Sequence, residues 1–400
     1  MNAEKINGSY IVTSEYVSPG HPDKIADQIS DAILDEYIRV DPDSKVACET
    51  MIKNSSVILA GEITSSVEFS EKQISSIVGN TLVRIGYDGS DDVPQQINGN
   101  SLDTLVHMIS QQSPEIHSAV VKDDGELGAG DQGIVFGYAS GYTPNKMPPA
   151  IYVAKNIIDF AYKNRKQFGY CPDMKCQVSI EYVNGIPTRI ADVVFSTCHI
   201  QTLDVKTLRK QFINEIFPMI SADTFINGYS IRNQHKNIRF HINPGGNWNI
   251  GGPISDCGLT GRKIVVDQYG ADSEVGGGAF SGKDPSKVDR SGAYIARNIA
   301  MKIQNEMPNI GDVKLQLGYS IGEKYPISIR VFNSEKSNIE VDPDIIKKIS
   351  STSVSQMINK FNLKNPIYFN TAHMGHFGNS PFIDSDGIEN FKWEDINVSY

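Results

Sequence analysis

Two glycine-rich stretches carry the residue types that handle phosphate. One is Gly276-Gly277-Gly278-Ala279-Phe280-Ser281-Gly282-Lys283-Asp284. From Gly277 it fits G-x-x-x-x-G-K, then places Asp284 where a P-loop needs Ser or Thr to reach Mg²⁺. The expectation is a phosphate cradle of another kind. Glycine backbone N–H groups crowd a polyphosphate closely, and Asp284-Pro285 leads into a helix whose N-terminus favours anions. Lys283 and Lys287, one turn apart, add charge, and Asp289 is close enough to bring a metal. The plainer alternative is a structural glycine loop. The other stretch runs from Gly251-Gly252-Pro253 through Asp256-Cys257-Gly258-Leu259-Thr260-Gly261-Arg262-Lys263. Its arginine offers planar bidentate contact to phosphate and its lysine a point charge. A surface loop is the plainer reading there.

Three further motifs bear chemistry. Gly20-His21-Pro22-Asp23-Lys24 opens a helix to about Tyr37, with Ile25, Ile29, Ile33 and Tyr37 as its apolar stripe. Asp23, Asp27, Asp31 and Asp35 recur at i, i+4 on another face, where like charges cost about 0.2–0.5 kcal/mol per pair. Either a cation sits there or the face is solvated; for His21 and Asp23, beside the helix start, a site role is expected. Gly128-Ala129-Gly130-Asp131-Gln132-Gly133 leads into a strand, and the polar run before it, Gln111 to Glu126, has the length of a lid. Pro172-Asp173-Met174-Lys175 precedes a hairpin, and Glu49 and Glu62 lie inside apolar strands, where a carboxylate wants a partner or a cation. Among the other histidines no spacing suits a metal, and GxSxG, HExxH and a Rossmann GxGxxG after a strand are all missing from the sequence.

The elements that must position these motifs repeat. Hairpins are expected at 45–67, at 177–200 around Asn184-Gly185, and at 314–333. They start about 132 and 137 residues apart, near a third of the chain each time. Each is followed by a helical period, carried by Ile74, Val78 and Leu82, by Leu203, Leu208 and Phe212, and by Ile345, Ile349, Val354 and Met357. Each is preceded by a helix, from about Pro22, Pro149 and Pro285, and before that by a β-rich run: SYIVTSEYV, GIVFGYA and KIVVDQY. The reading is three βαββα units, an α+β fold with sheet-plus-helix layers around a pseudo-threefold axis. Three unrelated α+β stretches are the alternative.

The 400 residues are 40% hydrophobic and 21% charged, with a formal net charge of −10. That excludes collagen-like, coiled-coil and disordered classes, and the acidic balance argues against non-specific nucleic-acid binding. No apolar run approaches a membrane span, and the N-terminus lacks a signal core, so a cytoplasmic location is expected. Five cysteines with no CxxC pair suggest reduced thiols rather than a disulfide scaffold or structural zinc.

Taken together, GHPDKIADQISDAILD, GAGDQG, GGP-x-x-DCGLTGRK and GGGAFSGKDPSKVDRS resemble the motifs of the S-adenosylmethionine synthetase (methionine adenosyltransferase) family, in order from about Ser9 to Phe377. The resemblance implies three similar α+β domains, here 1–110, 111–250 and 251–400, with a lid near 112–122. It implies a reaction in which the L-methionine sulfur attacks C5′ of ATP and the released triphosphate is hydrolysed to phosphate and pyrophosphate. On the matching positions it implies His21 beside the leaving oxygen. Asp23 and Asp289 would bind Mg²⁺, two ions per site, and Glu49 would bind K⁺. Glu62, Gln112, Asp256 and Lys287 would hold methionine. Asp173, Lys175, Asp256, Arg262, Lys263, Ala279 and Lys283 would contact ATP, and Asp131 would be an active-site acid. Asn247-Trp248 stands where the family commonly has Arg-Phe; Trp248 keeps an adenine stack and the arginine is lost. The lid, HSAVVKDDG, is atypical and about one residue short. The resemblance also implies a homodimer with shared active sites, or a dimer of such dimers. An ATP triphosphatase and an ATP-binding regulatory pseudoenzyme are the competing readings.

Overall fold

A computed structural model describes residues 8–89, 97–112, 126–223, 225–226, 229–230, 237–334 and 337–398. The first unit begins with β1 (Ser9–Val17) and α1 (Pro22–Val40). The helix starts where it does because Pro22 has no N–H to satisfy and the His21 side chain accepts from the Asp23 N–H. The hairpin β2 (Lys45–Lys53) and β3 (Ser56–Thr64) follows. Next come α2 (Glu71–Ile85), opened by a Ser70/Gln73 capping box and closed by left-handed Gly86, and β4 (Thr104–Ser110).

The second unit holds β5 (Gly133–Ser140), α3 (Pro149–Lys163), β6 (Tyr170–Val183), β7 (Ile186–His199), α4 (Val205–Gln211) and β8 (Arg239–Ile242). Its β6–β7 turn has positive φ at both Asn184 and Gly185, as the Asn-Gly signal demands. The third unit holds β9 (Gly258–Leu259), α5 (Val288–Glu306), β10 (Asp312–Tyr319), β11 (Ser328–Phe332), α6 (Pro343–Ser350) and α7 (Val354–Lys360).

Three expectations are corrected here. KIVVDQY is not a strand: Ile264–Asp267 is one helical turn, and the two-residue β9 leads the third unit instead. The turn carries Asp267 inward, where its carboxylate meets Lys24 Nζ at 2.6 Å in the core. The helix expected from about Pro285 starts at Val288, because Asp284 ties Ser286 and Lys287 into a turn first. The last helical period is split into α6 and α7, since Ser353 makes a fresh capping box with Gln356.

The strand pairing is cyclic. β1 pairs antiparallel with β6, β5 with β10, and β9 with β2, so each unit's lead strand joins the next unit's sheet and the third returns to the first. In the first two sheets a fourth strand, β4 or β8, runs parallel to the hairpin's second strand. The β2 residues Val46, Cys48, Thr50 and Ile52 are buried on the face that packs against α1. Ile25, Ile29 and Ile33 of α1 are fully buried in that core, each contributing about 1.5–3 kcal/mol of burial free energy. The alternate residues face outward. Ala47, Glu49 and Met51 share that open face with Ile58, Ala60 and Glu62 of β3 and with Val106 and Met108 of β4. Met108 is 64% exposed.

Candidate active site

The first cluster gathers at the start of α1. β1 is followed directly by Ser18, whose hydroxyl donates to the Pro172 carbonyl at 2.6 Å and accepts from the Met174 N–H at 2.8 Å. That fastens the helix start to the strand carrying Asp173 and Lys175. His21 is buried, and its Nδ1 accepts from the Asp23 N–H at 3.2 Å. Burial, then the Lys263 charge, lowers its pKa to about 3 against a smaller opposing pull from Asp23. The ring is therefore neutral near pH 7, with its proton on Nε2, because Nδ1 is the acceptor. Asp23 accepts from Lys263 Nζ at 2.5 Å and from the Leu259 N–H at 3.1 Å, with Arg262 Nε at 3.6 Å. Burial alone would raise its carboxyl, but Lys263 and Leu259 hold it below the usual value.

Asp173 is buried, and one oxygen accepts from the Gly252 N–H at 2.7 Å. The other oxygen has no hydrogen-bond partner among the described residues. Burial pushes this carboxyl up to about 7, although the Gly252 N–H and Lys175 pull the other way. Lys175 and Arg262 are about half exposed. Asp256 is exposed and accepts from the Cys257 N–H. Trp248 is anchored at the edge of this cluster: its N–H donates to His199 Nε2 at 3.2 Å and its indole N–H to the Ile250 carbonyl at 2.7 Å. Asn247 beside it is exposed.

The second cluster forms where the 276–289 loop meets β2. Lys283 bridges to Ala47, and Lys283 Nζ lies 2.6 Å from the Asp289 carboxylate. A side chain at Gly278 would place its Cβ 2.1 Å from the Asp289 carboxyl carbon, so that acid lies directly beneath the loop. Asp284 is the loop's anchor. It accepts from the Val46 N–H, the Ser286 N–H and hydroxyl, and Lys287 Nζ. Burial opposes its charge, yet Lys287 and Lys45 hold its carboxyl below the usual value. Glu49 and Glu62 stand on the same open sheet face. Burial, then the Glu62 charge, raises the Glu49 carboxyl, while Lys283 and Lys287 oppose. Asp131 is brought alongside, because the Gly130 N–H donates to the Ser286 carbonyl at 3.1 Å. The Gln112 N–H donates to Thr64 Oγ1 at 3.1 Å, two residues past Glu62. Ala279 lies against Gly261, where a Cβ would stand 2.7 Å from its own, so the two glycine loops touch. The expected lid falls outside the described residues except for Gln112.

Both clusters border β2, at different points. Lys283 is bridged to Ala47 and Leu259 is paired with Met51. Four residues of extended strand separate those points, roughly 13 Å.

The acidic ladder of α1 is not a solvated face. Asp27, Asp31 and Asp35 are all buried and partnered. Asp27 accepts from the Gly261 N–H at 2.9 Å and pairs with Lys24 at 3.0 Å. Asp31 forms a two-pronged pair with Arg290 at 2.7 and 2.8 Å. Asp35 accepts from the Tyr368 and Phe369 N–H groups at 2.9 and 2.8 Å. The i, i+4 spacing was the visible signal; apart from Lys24, the partners lie more than 200 residues away and leave no local trace. Asp284, met in the sequence as a break in a phosphate motif, is another contributor that the pattern missed.

Among the described residues, no group of three or more His, Cys, Asp and Glu side chains could by itself hold a metal ion. No disulfide joins the five cysteines.

Three family models match the chain. They are the S-adenosylmethionine synthetase N-terminal domain over residues 9–114, its central domain over 126–248 and its C-terminal domain over 250–395. The chain is also 40% identical over 411 residues to the S-adenosylmethionine synthase of Brachyspira hyodysenteriae (strain ATCC 49526 / WA1), covering 98% of this chain and 97% of that relative.

Proposed function

This chain belongs to the S-adenosylmethionine synthetase family, and from that premise we propose how its two clusters make S-adenosylmethionine from ATP and L-methionine. The thioether sulfur uses its lone pair to bond C5′, the C5′–O5′ bond breaks, and triphosphate leaves with the electron pair. Water then divides it into phosphate and pyrophosphate. A neutral thioether is already nucleophilic, so the chemical difficulty is the leaving group's charge. Preorganised donors and cations are the lever for that.

One observation carries the reading: the cations of both loops rest on carboxylates. Lys263 lies on Asp23 and Lys283 on Asp289, while Lys287 lies on Asp284. A polyphosphate gives Lys263 and Lys283 a stronger anion, and a methionine carboxylate gives Lys287 a second one. We assign Lys175, Arg262, Lys263 and Lys283 to the phosphates and His21 Nε2–H to the leaving oxygen. The unpartnered Asp173 oxygen and Trp248 fall to the nucleoside. Glu62, Gln112, Asp256 and Lys287 are assigned to methionine, and Asp131 to the closed site as an acid. His21 acts as a neutral donor rather than as a cation.

Hard-cation chemistry fits the donors. Mg²⁺ is commonly held by one or two carboxylates plus substrate phosphates. Asp23 and Asp289, one in each cluster, suit two such ions, which would neutralise charge on the leaving group. The raised carboxyl of Glu49, with Glu62 beside it, suits a monovalent cation such as K⁺.

We further infer the domain boundaries 1–110, 111–250 and 251–400, with the units turned about a pseudo-threefold axis; the cyclic strand exchange supports this. A homodimer with shared sites, or a dimer of such dimers, is supported by the apolar open face of β2, β3 and β4 around Glu49 and Glu62. No helix among the described residues is long and apolar enough to cross a membrane, and a cytoplasmic location remains our proposal.

The test is an assay with ATP, Mg²⁺ and K⁺, with and without L-methionine, following products by mass. The expected result is S-adenosylmethionine that requires methionine, with equal phosphate and pyrophosphate. Phosphate without any adenosylated product would favour a triphosphatase, and ATP binding without turnover a pseudoenzyme.

A further inference from the structure

Asp31 and Arg290 are both fully buried, and their hydrogen bonds run mostly to the Lys283 loop. Asp31 Oδ1 accepts from the Gly282 N–H at 2.8 Å as well as from Arg290. The same guanidinium nitrogen donates to the Phe280 carbonyl at 3.0 Å and the Lys283 carbonyl at 3.2 Å. The other prong reaches Thr371 Oγ1 at 2.8 Å, and Nε reaches the Tyr294 hydroxyl at 3.0 Å. Tyr368 stacks on the guanidinium, 4.2 Å from ring centroid to Cζ. Three anchor points within four residues, at 280, 282 and 283, are therefore held by one ion pair. Gly282 has φ +80, and a Cβ there would fall 2.0 Å from the Cys48 carbonyl oxygen. The loop is thus pressed against β2 on one side and gripped by the pair on the other.

A buried ion pair is weak evidence for stability, since an apolar pair of similar volume often serves a core as well. Holding a loop in one geometry is a different matter, because only fixed donors and acceptors define where its backbone lies. We infer that Asp31 and Arg290 are positioning residues that set Lys283 for the leaving triphosphate, acting through the loop backbone without touching substrate. The inference rests on the reading of Lys283 as a phosphate-binding group. A sister pair on the same helix gives a control. Arg297 forks onto Glu394 at 2.9–3.0 Å and donates to the Tyr138, Asn145 and Lys146 carbonyls, away from the phosphate loop.

The experiment is a double-mutant cycle on the full chain, with wild type assayed first. Arg290→Lys keeps a charge opposite Asp31 but loses the fork. It should lower kcat at least about tenfold at saturating ATP and methionine, with KM for methionine shifted less than about threefold. Combined with Lys283→Ala it should cost little beyond Lys283→Ala alone, because the residue it positions is gone. Arg297→Lys should instead multiply independently with Lys283→Ala. Equal losses from Arg290→Lys in both backgrounds, or wild-type kcat, would overturn the inference. Should Arg290→Lys fail to fold, the joint substitution Asp31→Leu with Arg290→Met removes both charges together and should show the same kcat loss in a folded protein. If neither folds, the pair serves core stability and the inference is overturned. A wild type that makes no S-adenosylmethionine would sink the function itself, whereas an active wild type with an unchanged Arg290→Lys variant sinks only the positioning role.

Discussion

Lys283 and His21 show how much depends on the protonation and reach of single side chains. Lys283 is about one-fifth exposed and paired with Asp289, a cation held ready at the mouth of a glycine loop. Removing one preorganised donor from an oxyanion-type site costs roughly 2.7–4 kcal/mol, about 10²–10³ in kcat. Lys283→Ala should therefore lose that much with both substrates saturating; an unchanged kcat would remove it from the phosphate site. His21 makes a different claim. Its imidazole is committed as a helix cap at Nδ1 and kept neutral by burial and Lys263, with a pKa of about 3. Between pH 5 and 8 the His21 ring carbons should show no NMR titration, and kcat should carry no step from this residue. A midpoint near the ordinary 6.5 would make the ring cationic at the lower end of that range and overturn the neutral-donor role.

At the scale of elements, α1 does more than close over a sheet. One carboxylate per turn grips a different distant segment: Asp23 the Leu259 N–H, Asp27 the Gly261 N–H, Asp31 the Gly282 N–H, and Asp35 the backbone at 368–369. Both glycine loops are thereby set against a single rigid helix. Asp35 has a cost attached. Burial, opposed by the Phe369 and Tyr368 N–H groups, pushes its carboxyl up to about 7. The folded chain then keeps a proton that the unfolded chain releases from about pH 4 upward. Stability is fully present below that pH and is lost as pH rises toward 7, by up to about 1.4 kcal/mol per pH unit. Asp35→Asn cannot ionise, so its thermal stability should vary less with pH over that window than wild type. Parallel curves from pH 4.5 to 7.5 would mean that Asp35 ionises normally. The sequence showed the ladder's spacing, the Asn184-Gly185 turn and the proline at the first position of α1 and α3, because these are local signals. It did not show Asp31 with Arg290, or Asp284 as an anchor, because each joins segments far apart in the chain. The helical turn at Ile264–Asp267 was misread for the same reason: its apolar run resembles a strand until Lys24 draws Asp267 inward.

The whole molecule raises the question of which residues share a site. His21, Asp23 and Lys263 gather near the β9 end of β2, whereas Lys283, Asp289 and Glu49 gather near Ala47, roughly 13 Å along the same strand. The open face between them carries Met51, Val106 and Met108, exposed at 39%, 37% and 64%. A twofold contact through such a face is self-complementary, so it can bring the first cluster of one chain to the second cluster of the other. This geometry predicts complementation between two inactive variants. His21→Ala and Lys283→Ala homodimers should each be nearly inactive. A heterodimer carrying one copy of each, isolated with two different affinity tags, should have one site with both defects and one site with neither. Its kcat per dimer should recover to about half of wild type, since one of two sites is restored. If both clusters of one chain served the same site, each site in that heterodimer would keep one defect and activity would stay near the homodimer level. Substituting Met108→Asp addresses the contact directly, because a charge on the apolar face must lose its hydration for the faces to meet. Sedimentation should then show a folded monomer, and the same preparation should lose activity in step with dimer. A fully active monomer would mean that each chain holds a complete site.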